Sequence, residues 1–225
     1  MLPLCVIAHN SFLPKRGYAC AVGFTMQEPN RYLSCALKDL RTQRAWSLDY
    51  AAQKTGVSKA MLGQIERAES SPTIATLWKI ASGFQTSISY FLEPPAEDFL
   101  EGTVYQGQHP SAKRLAADPL VVVSLFPYDA RFGFELLELS LVPGGVRLSD
   151  PHAAGVTEHV MVISGALELL VNGKWTLLPE RSAVRFAADR PHGYRNPGDH
   201  ASIFHNLIHY PAGYEMSDGM SGKKS

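Results

Sequence analysis

SLDYAAQKTGVSKAMLGQIER, residues 47–67, decides how the chain is read. It divides into two short helices joined at Thr55-Gly56-Val57. Gly56 stands where the first helix must stop, because glycine enters the left-handed conformation without a Cβ penalty. Ser58 follows as an N-cap whose hydroxyl can accept a bond from an unpaired amide of the second helix. Within that helix Leu62 and Ile65, three apart, share a buried face. The opposite face carries Lys59, Ala60, Gly63 and Gln64, paired at i and i+4. It is short-chained, polar and nearly free of acids. That suits entry into the major groove of DNA better than it suits an ordinary solvated helix, which would mix Glu with Lys.

Both flanks continue the helical pattern. Upstream, Leu33, Leu37 and Leu40 form one stripe of a helix expected over 31–44, whose Arg41 should reach Glu66. Trp46 packs as a hydrophobic anchor before the Ser47 cap. Downstream, a polar loop ends at Pro72, and Thr73 caps a helix with apolar Ile74, Leu77, Ala81 and Phe84. A fifth short helix over 87–92 closes the bundle, and Pro94-Pro95 ends it.

Charge is distributed unevenly. The 225 residues carry 21 basic and 21 acidic side chains, for a net charge of zero. Between Leu37 and Leu92, however, seven Lys/Arg face four Asp/Glu, leaving +3 there and −3 elsewhere. A modest positive segment helps seat a small module on phosphates, although weakly as a monomer. The chain is 45% hydrophobic and 19% charged, enough for two cores. No apolar run approaches the roughly 20 residues that cross a membrane. Cys5, Cys20 and Cys35 are odd in number and lack metal-ligand spacing, which points to a reducing cytoplasm.

Residues 1–25 show no helical or strand period and are expected to be a disordered extension, with Met26 as the biological start. The DNA-binding domain is placed at 26–93 and a Glu-, Gly-, Gln- and Pro-containing linker at 94–118. From there the period changes. VVVSLF (121–126), FELLELSLV (134–142), HVMVISG (159–165), ALELLVNG (166–173), WTLL (175–178), AVRF (183–186) and ASIFHNLIHY (201–210) read as short strands between turns. They imply a sandwich or barrel over 119–212, followed by a flexible tail at 213–225. The fold class is therefore two-domain α + β.

The segment 37–92 resembles the phage-repressor, or Xre-type, helix-turn-helix family. LRxxR, SLxxxA, GVSxxxLxxIE and SPTxxTLxKIA all occur in it. The resemblance implies a lambda-repressor-like five-helix bundle. Lys59, Ala60, Gly63 and Gln64 would face base edges, with Gln64 suited to adenine and Ala60 to a thymine methyl. Arg44, Ser47, Ser58, Arg67 and Ser71 would hold phosphates.

Residues 143–165, PGGVRLSDPHAAGVTEHVMVISG, resemble the first cupin motif, with His152, Glu158 and Gly165 on the pattern and Ala154 where a second histidine is usual. FAADRPHGYRN resembles the second motif through His192 and Asn196. A jelly-roll barrel is implied. His152, Glu158 and His192 would make a two-histidine, one-carboxylate set suited to Zn²⁺, Mn²⁺, Fe²⁺ or Ni²⁺. A metal centre and a metal-free ligand cavity both stay open. His159 could substitute for the absent imidazole, but in a strand it should point away from Glu158. Arg185, Tyr194 and His205 are further candidates to bind a ligand, the first two as anchors for an anion.

A helix-turn-helix joined to a cupin resembles a class of bacterial transcriptional regulators, and the motifs over 26–212 are similar to enterobacterial regulators of sulfur utilisation. The resemblance implies a cytoplasmic homodimer that binds double-stranded DNA and senses a small molecule, sulfur-related or an amino acid. Two rivals stand beside it. One is a metal-dependent cupin enzyme, a dioxygenase or isomerase, tethered to DNA. The other is an antitoxin-like protein that binds a partner chain.

Overall fold

The computed structural model describes residues 29–92 and 118–211. The expectations for 1–25, for most of the linker and for the tail lie outside those residues. Five helices come first: α1 (Pro29–Gln43), α2 (Leu48–Thr55), α3 (Lys59–Glu66), α4 (Ile74–Gly83) and α5 (Ser89–Leu92). Three of them start on a hydroxyl cap. Ser47 Oγ accepts from the Tyr50 amide at 3.1 Å, Ser58 Oγ from Met61 at 3.2 Å and Thr73 Oγ1 from Thr76 at 3.2 Å. Gly56 closes α2 at φ +66°, and its N–H returns to the Ala52 carbonyl. The core joins Leu33, Leu37 and Leu40 of α1 to Leu62, Ile65, Leu77, Ile80 and Phe84.

Arg41 meets Glu66 as the sequence predicts. Nε lies 2.5 Å from Oε1 and Nη2 lies 2.8 Å from Oε2, while Nη1 donates to the Trp46 carbonyl at 2.8 Å. One guanidinium thus ties the end of α3 and the entry of α2 to α1.

Nine strands follow in two antiparallel sheets: β1 (Leu120–Asp129), β2 (Phe134–Leu141), β3 (Val146–Ser149), β4 (Thr157–Ser164), β5 (Leu167–Val171), β6 (Lys174–Leu178), β7 (Ala183–Ala187), β8 (His192–Arg195) and β9 (Ser202–His209). The five-stranded sheet runs β1-β2-β9-β4-β7 and the four-stranded sheet β3-β8-β5-β6. Seven correspond to the expected strands. The two additional strands, β3 and β8, have four residues each and pair with one another. They are too short to show an alternation, and the sequence marked them only as parts of motifs.

The bundle rests on the barrel through polar contacts. Asp118, assigned to the linker from sequence, is instead buried. Its Oδ2 accepts from the first amide of α4, Ile74 N, at 2.9 Å, and its Oδ1 accepts from Leu120 N at 3.0 Å. A carboxylate there also complements the positive end of the helix. Glu135 of β2 is fully buried, accepting from Ser89 N at 3.1 Å and from Tyr210 OH at 2.6 Å. Burial pushes its carboxyl pKa up from 4.5 despite those bonds.

Candidate functional site

The reading helix α3 is held from behind by Leu62 and Ile65, both buried. Lys59, Ala60 and Gln64 are exposed, as the sequence reading requires. Gly63 differs: it is buried, and a Cβ there would lie 3.1 Å from Arg67 Nη1 and 3.8 Å from Leu48 Cδ1. It lies beneath the Arg67 side chain and beside Leu48 of α2, and is not open to a base edge in this arrangement.

The phosphate set divides similarly. Ser47 and Ser58 are exposed caps beside helix N-termini, where amides and dipole favour an anion. Arg67 is exposed but paired with Glu69, Nη2 to Oε2 at 2.7 Å. Lys59 pairs with Asp49 at 2.8 Å, an exposed bridge of little strength. Arg44 is half-buried, its guanidinium carbon 5.1 Å from the Trp46 ring and 5.2 Å from that of Phe84, and burial lowers its pKa. It is an aromatic-packed residue as much as a phosphate ligand. Ser71 is half-buried in the loop before α4.

In the barrel, strand parity decides which side chains meet. β4 turns Glu158 inward, β8 turns His192 and Tyr194 inward, and β9 turns Asn206 inward; each is at most 3% exposed. His152, on the loop before β4, places Nε2 2.7 Å from Glu158 Oε1. His192 Nε2 lies 3.3 Å from the same oxygen but makes no hydrogen bond. Tyr194 OH donates to Glu158 Oε2, and Asn206 Nδ2 donates there at 2.8 Å. Burial alone would raise the Glu158 carboxyl; the hydrogen bond from His152 and the proximity of both imidazoles carry it well below the usual range. Burial likewise opposes charge on His192, yet Glu158 raises its pKa. Tyr194 is raised well above its ordinary value, first by burial and then by the neighbouring carboxylate.

Two expectations fail on parity, and a third, the outward turn of His159, holds. Arg185 is exposed and pairs in register with His159 on the outer side of the sheet. His205 also faces outward, 3.3 Å from Glu138 Oε2. His159 does point away from Glu158 and cannot substitute for an imidazole at the site. Asn206, which the sequence reading passed over, occupies the inward position between Phe204 and Ile208. A polar side chain in an apolar alternation was the available signal.

The donor set fits a divalent metal. The ligating atoms of His152, Glu158 and His192 lie within 4.8 Å of one another. The Nδ1 of His192 faces the Arg190 carbonyl at 2.9 Å, which can only accept, so Nδ1 carries the proton. Nε2 is buried, faces the carboxylate and is the atom open to a metal. The site also sits under the bundle, since the ring of Trp78 in α4 lies 4.9 Å from that of His152.

A five-helix bundle exposing a reading helix, seated on a barrel with a convergent His/Glu/His site, defines a helix-turn-helix transcriptional regulator with a cupin domain. Residues 37–91 match the helix-turn-helix family HTH_3, and residues 137–208 match the Cupin_2 domain. The chain belongs to this family of regulators: it is 50% identical over 186 residues to the HTH-type transcriptional regulator SutR of Escherichia coli (strain K12), covering 83% of this chain and 99% of that one. It is also similar to a crystal structure of an HTH_3 family transcriptional regulator from Vibrio cholerae, with 41% identity, a TM-score of 0.70 and coverage of 83% of this chain and 99% of that one. The Cupin_2 domain of an XRE family regulator from Enterobacter cloacae is 48% identical, with a TM-score of 0.41, over 42% of this chain and 99% of that one.

Proposed function

We propose that the protein is a cytoplasmic, homodimeric regulator. It reads operator bases with Lys59, Ala60 and Gln64 and senses a small molecule, a metal ion or both through the barrel. The observation that carries the base-reading half is the exposure of Lys59, Ala60 and Gln64 on a helix whose back is buried. Ser47, Ser58 and Arg67 then set register on the backbone. Self-association is supported by Val146, Leu148 and Leu177. They lie on one outer face of the four-stranded sheet and are 47–60% exposed. A symmetric pair would present two reading helices to half-sites about one helical turn apart.

His152, Glu158 and His192 would hold the metal, which would supply Lewis acidity and a fixed positive charge. This chain's own residues orient that site. Arg190 sets the His192 tautomer, while Tyr194 and Asn206 occupy the second oxygen of Glu158. A carboxylate so fully engaged supports sensing rather than turnover. The convergent trio keeps one rival in view, a metal-dependent oxygenase, and sustained oxygen consumption by metal-loaded protein would favour it.

Selection of binding sites from random duplexes tests the reading. Gln64→Ala should lose preference at one base pair per half-site, by about 1–3 kcal/mol, or roughly 5–150-fold. Arg67→Ala, which removes a backbone contact, should reduce affinity more evenly across sequences. An unchanged consensus and affinity in both variants would sink the assignment.

A further inference from the structure

Between the bundle and the barrel lies a cavity of about 430 Å³ that the DNA-reading and barrel sites do not account for. Its size is that of a metabolite site. One wall is the head, with Lys54 from the last turn of α2 and Trp78 and Lys79 from α4; the other is the barrel, with Arg147, Asp150 and His152. Three permanent cations therefore face one acid, Asp150, which lies 3.6 Å from Lys79.

Arg147 is the most informative of these residues. In β3 it is register-paired with Tyr194, on the inner face of the sheet. Its Nε is buried and has no hydrogen-bond partner among the described residues. A buried guanidinium N–H without an acceptor is costly, and an anion held against the guanidinium would offset part of that cost. Burial pulls its pKa down more than the nearby carboxylates of Asp118 and Asp150 raise it. Trp78 offers an indole to the same space, beside His152.

We propose that this cleft is the effector site, and that the effector is a small carboxylate or similar oxyanion. Its charge is met by Arg147, with Lys54 and Lys79 beside it, and its apolar body rests on Trp78. The inference rests on the effector-sensing reading above and specifies the place and the charge. Because the ligand touches α2 and α4 as well as β3, it binds one placement of the head better than others. That differential is what a regulator needs. Contact with His152 brings the same ligand to the edge of the His/Glu/His site.

The test uses full-length protein with benzoate and pyruvate as probes, benzamide as the neutral control, and sodium chloride to match ionic strength. At about ten times its dissociation constant an anion should raise the melting temperature by roughly 3–6 °C. Benzamide should leave it unchanged. Arg147→Gln should fold with a melting temperature at or above that of the wild type and lose the anion response. The proposal is overturned if neither anion shifts the melting temperature, if benzamide matches benzoate, or if Arg147→Gln still responds. It is also overturned if Arg147→Gln instead weakens anion-free DNA binding and lowers the salt slope by about one, which would assign the cation to a DNA phosphate. Site selection with Gln64→Ala is independent of all these outcomes, so failure here leaves the DNA-reading assignment standing.

Discussion

Gly83→Ala separates two physical effects of opposite sign. Gly83 is the last residue of α4, and a glycine in a helix costs about 1 kcal/mol relative to alanine. Propensity alone therefore predicts that alanine stabilises the protein by about that much. The tertiary structure predicts the reverse. A Cβ at Gly83 would lie 2.6 Å from the Lys54 carbonyl oxygen, 2.6 Å from Thr55 Cα and 2.7 Å from Thr55 Cγ2. Two of these atoms are backbone and cannot rotate away, so α2 and α4 must separate by about 1 Å. Overpacking of this kind costs about 1–3 kcal/mol, leaving a net loss of up to about 2 kcal/mol. The strain falls on a residue that shapes the reading unit. Thr55 Oγ1 donates to the Ala51 carbonyl at 2.8 Å and accepts from Val57 N at 3.2 Å across the turn into α3. Urea denaturation of the full-length protein, with DNA affinity measured in parallel, should show both falling. A variant stabilised by about 1 kcal/mol, as propensity alone predicts, would refute the claim that α4 and α2 touch backbone to backbone here.

Other outcomes follow from single contacts. Arg41→Ala leaves Glu66, whose side chain is 8% exposed, without its partner, and should cost about 1–3 kcal/mol in denaturant unfolding; a loss under about 0.5 kcal/mol would place the pair in solvent. Glu135 has a raised folded pKa, so its protonated form is favoured in the fold. Its contribution is complete below the unfolded value near 4.5 and is lost as pH rises through the raised value. Glu135→Gln, which mimics the protonated form, should flatten stability against pH across that window and match or exceed the wild type at neutral pH; an unchanged pH slope would refute this. His192→Ala and Glu158→Gln should each abolish stoichiometric uptake of Ni²⁺ or Zn²⁺ in equilibrium dialysis, and undiminished uptake would locate the metal elsewhere.

The bundle was legible because its signals are local. Each cap acts within three residues and Gly56 within four, and the apolar stripes of α1 and α4 repeat within one turn. Motif spacing likewise brought out His152, Glu158 and His192 together, and the Arg41–Glu66 pair was readable from residues 25 apart in the sequence. The barrel strands longer than four residues announced themselves by alternation, whereas β3 and β8 did not.

What the amino-acid order determined by itself is the architecture, a helix-turn-helix bundle followed by a jelly roll, and the trio of candidate metal ligands. Only tertiary structure decided which way single residues face. His205 and Asn206 are neighbours, and a period of two admits just one of them to the interior. Pairing of β9 with β2 and β4 turns Asn206 toward Glu158 and sends His205 out to Glu138. The burial of Gly63, the outward turn of Arg185 and the meeting of Trp78 with His152 have the same origin. Each depends on contacts between elements far apart in the chain, which no local period encodes.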